Sequence, residues 1–287
     1  VPLGLTLEIL QVRRGIDIDA GCGQLTQGRK AKEERAARRK LAVLGAESKE
    51  KEAASPPVTA GPSPSEKPGA AAMAKGAGMI APNMATMLSC VMTDAPLTAD
   101  MAQKSLQHAA NTSFNRVSVD GHTSTNDTLL LLSSGQGTPL NQAELQIFQQ
   151  QLTKAAIKLA KQLVADGEGA RHVMAIRIEG AADEGAAEVI ARTIAASPLV
   201  KTAVTGGDPN WGRIVSAAGY ANANISPENT SLKICDTTIY RNGSPLGFDE
   251  QALSAKMKAS SEVSIVLCVG DGPGTVDYWA SDLTTDY

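Results

Sequence analysis

Between Asn141 and Gly167 the chain carries its most constraining pattern. Leu145, Phe148, Leu152, Ala156, Leu159 and Leu163 recur at three- and four-residue steps, which places them on one face of a long helix. Asn141 can cap its start, with Glu144 at the third helical position. Asp166-Gly167 predicts its stop, with the glycine supplying a left-handed residue. One face of such a helix packs on a sheet, and its Gln/Lys face is solvated. Only 3% of the 287 residues are aromatic although 43% are hydrophobic, so the core beneath it is built from Ala, Val, Ile and Leu.

Helices and short strands alternate around this element. Thr98 is a helix cap with Asp100 in the first turn, and that helix runs to about Ala110. Phe114 to Asp120 alternates like a strand, Asp120 to Thr128 reads as a polar loop, and Leu129 to Leu132 reads as a buried strand. Strands are expected at His172–Glu179 and Val263–Val269, and Gly270 to Thr275 breaks the chain before Val276 to Leu283. Helices are expected at Glu184–Ala196, from Asp249 to Lys258, and over Ile214–Tyr220; Val200 to Val204 is a further apolar segment. Ser231–Cys235 and Thr238–Tyr240 form a hairpin, with Asn242-Gly243 as a later turn. The order argues for an α/β protein.

Residues 1–72 differ from the remainder. Gln27 to Lys40 is dominated by Lys, Arg, Glu and Ala, and Ser55 to Ser65 is rich in Pro. Such a stretch cannot bury enough apolar surface to offset its ordering entropy, so 1–72 is expected to be disordered. Its charge is +3 and that of the remainder −6. The basic run lacks interleaved aromatics and carries acidic residues throughout, which speaks against nucleic acid as a partner. No run of eighteen apolar residues is present, so no membrane partner is expected. Cys22, Cys90, Cys235 and Cys268 are scattered with no paired spacing, so no metal is expected and a reducing compartment, the cytoplasm, fits. Asp120 to Asp127 lacks the sixth-position Gly and twelfth-position Glu of a calcium loop, holding Thr125 and Leu131 there. Thr205 to Arg213 lacks the Gly-Lys-Ser/Thr of a Walker loop.

Chemistry concentrates in Lys75-Gly-Ala-Gly-Met-Ile-Ala-Pro-Asn-Met-Ala-Thr-Met-Leu88. A Gly-rich approach meets a Pro82-Asn83 turn signal and then an apolar entry toward Val91. Thr86 follows the small residue Ala85. A threonine that becomes an N-terminus carries its own base, because the freed α-amine titrates near neutrality within reach of Oγ. Met-Ala-Thr-Met is also an ordinary apolar segment, and residue types alone leave both readings open. Glu168 in Asp166-Gly-Glu-Gly-Ala170 could bind an ammonium group or simply be an exposed loop residue.

Lys75 to Leu88 resembles the self-cleavage segment of the ornithine acetyltransferase family, the bifunctional glutamate N-acetyltransferases/amino-acid acetyltransferases. Phe114 to Thr128, Asp166 to Gly169, Ser197 to Arg213 and Ser281 to Tyr287 resemble further family segments. The likeness begins at Met73 and covers about three quarters of the chain. It implies a layered α/β/β/α sandwich of the self-processing type with a smaller C-terminal α/β lobe. The implied division is 1–72 outside the family, 73–85 as the end of an α-chain-like segment and 86–287 as a β-chain-like catalytic region, with a lobe boundary roughly at 170–206.

The resemblance also implies cleavage between Ala85 and Thr86, Thr86 as the nucleophile, and Lys75, Thr86 and Glu168 as substrate contacts. The implied reaction moves acetyl from N-acetylornithine to glutamate in arginine biosynthesis through an acetyl-threonine intermediate, with no cofactor; acetyl-CoA as a further acetyl donor stays open. The implied assembly is a dimer of αβ units made of its own two fragments. The family's oxyanion-hole donors lie in an α half not recognisable here, so activity is expected to be impaired. A related self-processing aminopeptidase and a non-catalytic remnant or interaction protein are the competing readings. For the segment Thr205 to Arg213, shaping the site wall and locking the fold stand as equal alternatives.

Overall fold

A computed structural model of the chain describes residues 6–11, 69–76, 80, 87–122 and 127–287. Eleven strands and six α-helices occur among them. Strands β1 (Thr6–Gln11), β2 (Gly69–Lys75), β3 (Leu88–Thr93) and β5 (Thr128–Ser133) form a four-stranded sheet in the order β1-β2-β3-β5. β2 and β3 are antiparallel; β1 and β5 are parallel to their neighbours. Thr6–Gln11 and Gly69–Ala72 lie inside the segment expected to be disordered and are strands instead. An apolar run such as Leu7-Glu-Ile-Leu10 can settle on a sheet edge, where backbone pairing supplies what its own composition does not.

Helices α1 (Ala99–Asn111) and α2 (Gln142–Ala165) cover one face of this sheet. Both are capped as expected. Thr98 Oγ1 accepts from the Met101 N–H at 3.3 Å. Asn141 Oδ1 accepts from Ala143 and Glu144, and the Asn141 N–H donates back to Glu144 at 2.9 Å. Phe148, Leu152, Ala156, Leu159 and Leu163 are buried with Ala72, Ala74 and Val91, so the predicted stripe is the packed one.

Strands β4 (Val117–Ser118), β6 (Val173–Ala181), β7 (Ser231–Ile234), β8 (Thr237–Arg241), β9 (Ser244–Pro245), β10 (Glu262–Cys268) and β11 (Gly274–Ser281) form a second sheet, ordered β4-β11-β6-β10-β7-β8-β9. Helix α3 (Glu184–Ala196) lies on β6 and β11, while α2 also touches β4, β6 and β11. Helices α4 (Pro198–Gly206), α5 (Trp211–Gly219) and α6 (Glu250–Ala259) complete this part. Ile190, Ile194, Ile176, Ile178, Ile265 and Leu267 form its core. The class is α/β, as expected. No helix among the described residues is long and apolar enough to cross a membrane.

Three local expectations fail for physical reasons, and one apolar segment with no expected element proves to be helical. Phe114 to Asp120 is not one strand: the Arg116 N–H closes a 3₁₀ turn onto Ser113 O at 2.9 Å, and only Val117–Ser118 pairs, with β11. Leu130 and Leu132 are not buried but 47% and 51% exposed, because β5 offers its other face to the helices. Val200–Val204 belongs to a helix whose first turn accommodates Pro198. Gly167 does not take the left-handed conformation; Gly169 does, at φ 67°. Gly167 instead has no room for a side chain, since a Cβ there would sit 2.9 Å from Val164 O and 3.1 Å from the Val119 methyls.

Candidate active site

Sheet register assembles the first part of the site. Lys75, the last residue of β2, is paired with Leu88, which is paired on its other side with Thr128. One residue earlier, the Met87 N–H donates to Asp127 Oδ1 at 2.8 Å, and Met87 O accepts from the Thr128 N–H at 2.9 Å. Met87 is thereby gripped on both polar groups and is itself buried. Thr86, the residue bonded to Met87, and Ala85 lie outside the described residues. Burial raises the Asp127 carboxyl above its ordinary range, and the Met87 N–H partly opposes this. Asp127 Oδ2 is buried with no hydrogen-bond partner among the described residues.

Ile80, inside the same motif, is attached elsewhere. Its N–H donates to Asp120 Oδ1 at 3.1 Å and its carbonyl accepts from the Val119 N–H at 2.7 Å. Asp120 Oδ1 also accepts from the His122 N–H at 3.0 Å. Tyr287 completes the junction: its phenol is pushed up by burial, then by the nearby charges of Asp120 and Glu168 and by a hydrogen bond to Asp120. Glu168 and Asp120 thus flank one phenol.

Glu168 is exposed, so its carboxylate is open to a ligand. The loop that carries it is nevertheless fixed. Gly167 abuts Val119. Thr284 Oγ1 donates to Gly169 O at 2.7 Å. Asp282 Oδ1 accepts from the Arg171 and His172 N–H groups, and Asp282 Oδ2 lies 2.9 Å from His172 Nδ1. Backbone groups at the end of α2 that would otherwise lack partners are satisfied by the C-terminal segment.

Lys201 underlies this arrangement. It is 6% exposed, and its Nζ donates to Val119 O at 2.8 Å and Ser281 O at 2.6 Å. Burial brings its pKa down to about 8, against the pull of Asp282 and Asp120. Thr205 Oγ1 donates to Leu283 O at 2.8 Å. Asn210 caps α5 through the Arg213 N–H, and Arg213 Nη1 donates to Leu199 O. For Thr205 to Arg213 the bonds of Thr205, Asn210 and Arg213 favour the fold-locking alternative over a site wall.

Of the residues predicted for the site, Lys75 is placed opposite Leu88 by register, Glu168 beside Asp120 by the shared phenol, and Ala85 and Thr86 lie outside the described residues. The link between the two groups is Ile80 on Val119–Asp120. Asp127, Asp120 and Asp282 were not singled out from the sequence, although the motif Asp120 to Thr128 and the final Ser281 to Tyr287 contain them. Among the described residues no cluster of His, Cys, Asp or Glu could hold a metal.

Comparison with known proteins agrees with these motifs. An arginine biosynthesis bifunctional protein ArgJ from Rhodopirellula baltica is 62% identical over 222 residues, covering 76% of this chain and 54% of the relative. A chloroplastic ArgJ from Populus trichocarpa is 43% identical over 224 residues, covering 75% of this chain and 47% of the relative. The chain therefore spans about half the length of the curated relatives it matches. A crystal structure of ArgJ from Bacillus halodurans superposes with a TM-score of 0.65 at 36% identity, covering 68% of this chain and 93% of that one. The ArgJ family model matches residues 12–287, beginning well before Met73 where the motifs begin. With that match and those motifs, the chain belongs to the ArgJ family.

Proposed function

We propose that this chain is the Thr86-bearing part of an acetyltransferase of arginine biosynthesis, moving acetyl from N-acetylornithine to glutamate. The observation that carries the reading is the double grip of Asp127 and Thr128 on Met87, next to the strand end bearing Lys75. Met87, the residue bonded to the proposed nucleophile, is held on both of its polar groups, and a held neighbour is what an oriented reaction needs.

In the proposed sequence the Thr86 hydroxyl attacks the Ala85 carbonyl and the scissile nitrogen leaves with a proton, giving an ester. Water then hydrolyses that ester, freeing the Ala85 carboxylate and restoring the Thr86 hydroxyl beside the α-amine released in the first step. The amine accepts the Thr86 hydroxyl proton as Oγ attacks the acetyl group of N-acetylornithine, and returns a proton to the departing ornithine nitrogen. Glutamate then takes the acetyl group from Thr86 Oγ by its amine. Lys75 would pair with a substrate carboxylate and Glu168 with an ammonium. In the family that the motifs resemble, oxyanion-hole donors come from the α half, and losing even one such donor slows acyl transfer by about 10²–10³. Cytoplasmic location and assembly of two fragments into a dimer of αβ units belong to the same proposal; acetyl-CoA as a second donor is left open.

Intact-mass analysis of the purified chain tests the reading, with T86A as control. A break at Ala85–Thr86, absent in T86A, followed by gain of one acetyl group on the Thr86 fragment when N-acetylornithine is added, is the expected result. Hydrolysis of small peptides without acetyl transfer to glutamate would move the assignment to a self-processing aminopeptidase. One uncut, unacetylated species would leave a non-catalytic remnant.

A further inference from the structure

A cavity of about 470 Å³ opens between the end of α1, the 3₁₀ turn at Phe114–Arg116 and the first turns of α3. None of Lys75, Asp120, Asp127 and Glu168 lines it, so the proposed acetyl transfer makes no use of it. Its volume falls in the range of about 300–1,000 Å³ in which small ligands are held, but its lining departs from the usual apolar one. Asn111 and Asn115 bring amides, Arg116 and Arg192 guanidiniums, and Glu184 and Glu188 carboxylates; no apolar side chain takes part.

The charges stand in two pairs. Arg116, whose side chain is 11% exposed, donates to Glu184 across 68 residues of sequence. Arg192 Nη2 donates to Glu188 at 2.6 Å. Asn115 Nδ2 donates to Asn111 Oδ1 at 2.9 Å. Asn115 Oδ1 and Arg116 Nε are buried with no hydrogen-bond partner among the described residues, so polar groups outnumber their partners on this wall. The pairing decides the ligand class. An anion alone meets two carboxylates as well as two guanidiniums, and a cation alone meets the reverse. Either takes one member from a pair and leaves the other charge uncompensated. A ligand with one charge of each sign exchanges partner for partner, its carboxylate on a guanidinium and its ammonium on a glutamate.

We propose that this cavity binds a free α-amino acid with an uncharged polar side chain, which the two amides receive. Two positive and two negative groups in the lining match a ligand of net charge zero. Glutamate and ornithine each carry a further charge, so the site is not a second copy of the one proposed for acetyl transfer. Because α1 packs on the first sheet and α3 on the second, the bound ligand ties the two together and stabilises the folded chain.

Calorimetric titration of the full chain with L-glutamine tests the proposal against two truncated probes. Glutaramate lacks the ammonium, and 4-aminobutanamide lacks the carboxylate. Glutamine is expected to bind at one site and to raise the thermal midpoint of unfolding. Each truncated probe is expected to bind at least about tenfold more weakly, the loss that follows from one missing charge-assisted bond. E184Q and R192Q are expected to weaken glutamine about tenfold with unfolding midpoints near that of the wild type, and E168Q to leave binding unchanged. No glutamine binding, a truncated probe that binds equally well, or a loss in E168Q but in neither cavity variant overturns the inference. Should a cavity variant fail to fold, the probe series and E168Q still decide. None of these outcomes bears on the Thr86 reading, whose own test is cleavage and acetyl transfer.

Discussion

Ile80 and Asp120 are joined across forty residues of sequence by the Ile80 N–H on Asp120 Oδ1 at 3.1 Å. The neighbouring bond, from the Val119 N–H to Ile80 O, is shorter still at 2.7 Å. Together they seat Ile80, within the Lys75–Leu88 motif, on the bend that follows β4 of the second sheet. The Glu168 loop, Lys201 and Tyr287 meet the same two residues, so Val119–Asp120 is the joint on which the site depends.

Replacing Asp120 by Ala tests that joint. The variant leaves the Ile80 N–H and the Tyr287 hydroxyl without their acceptor and removes a charge that favours the Lys201 ammonium. The Ile80 N–H is the buried one of the two, and a buried donor left unpaired costs about 1–3 kcal/mol. Urea unfolding is expected to show a loss of about 2 kcal/mol, with D120N losing less because its Oδ1 remains. A loss within experimental error of zero would show that the junction carries no weight.

Lys201 makes stability depend on pH in a direction that can be stated. Its folded pKa of about 8 lies below the ordinary 10.5. Between those values the unfolded chain binds more protons than the folded one, so this group's contribution to stability rises with pH and levels off above the unfolded pKa. Below about pH 8 the folded state bears the full cost of the buried ammonium. In K201M that dependence disappears. From pH 7 to 10.5 the wild-type chain is expected to gain about 3 kcal/mol relative to K201M, read from denaturant unfolding at each pH. Parallel curves for the two proteins would contradict the assignment.

Gly169 is expected to resist even Ala. Its φ of 67° disfavours a side chain, and a Cβ there would fall 2.6 Å from the Tyr287 nitrogen. G169A is expected to lower stability by about 2 kcal/mol and to speed hydrogen exchange at Arg171 and His172, whose amides the adjoining Asp282 holds. Unchanged exchange at those two amides would mean that the C-terminal segment does not fix the Glu168 loop.

The outer face of the four-stranded sheet carries Leu88, Met92, Leu130 and Leu132, each at least 40% exposed. An uncovered apolar face of this kind binds dyes and promotes association. The double variant L130T/L132T is expected to reduce 1-anilinonaphthalene-8-sulfonate fluorescence severalfold. It should shift stability by less than about 1 kcal/mol. Undiminished dye binding would locate the exposed apolar surface elsewhere.

Local chemistry made much of this legible in advance. The Asn141–Glu144 box, the stripe from Leu145 to Leu163, the Thr98 cap and the Ser231–Tyr240 hairpin each depend on residues a few positions apart. Leu129–Leu132 shows where that legibility stops, since a run of four leucines does not say which of its faces finds a neighbour. Phe114 to Asp120 shows the same for the second sheet. Alternation suggested a strand, but only Trp279 and Ala280 were available as partners.

The site divides in the same way. Lys75 and Glu168 could be marked from their motifs, whereas the groups that hold their surroundings could not. Asp120 acts on Ile80 forty residues away, and Asp282 acts on His172 across 110 residues. By itself the sequence determined the α/β class, the caps and the turns, because these follow from local propensity and periodicity; the family motifs were legible by resemblance alone. Only the tertiary structure decided that the Asp120 loop, the Glu168 loop, Lys201 and the segment Asp282 to Tyr287 meet at one junction. Hydrogen bonds between groups so far apart leave no local pattern; they exist only once the chain has brought buried polar groups to where they must find partners.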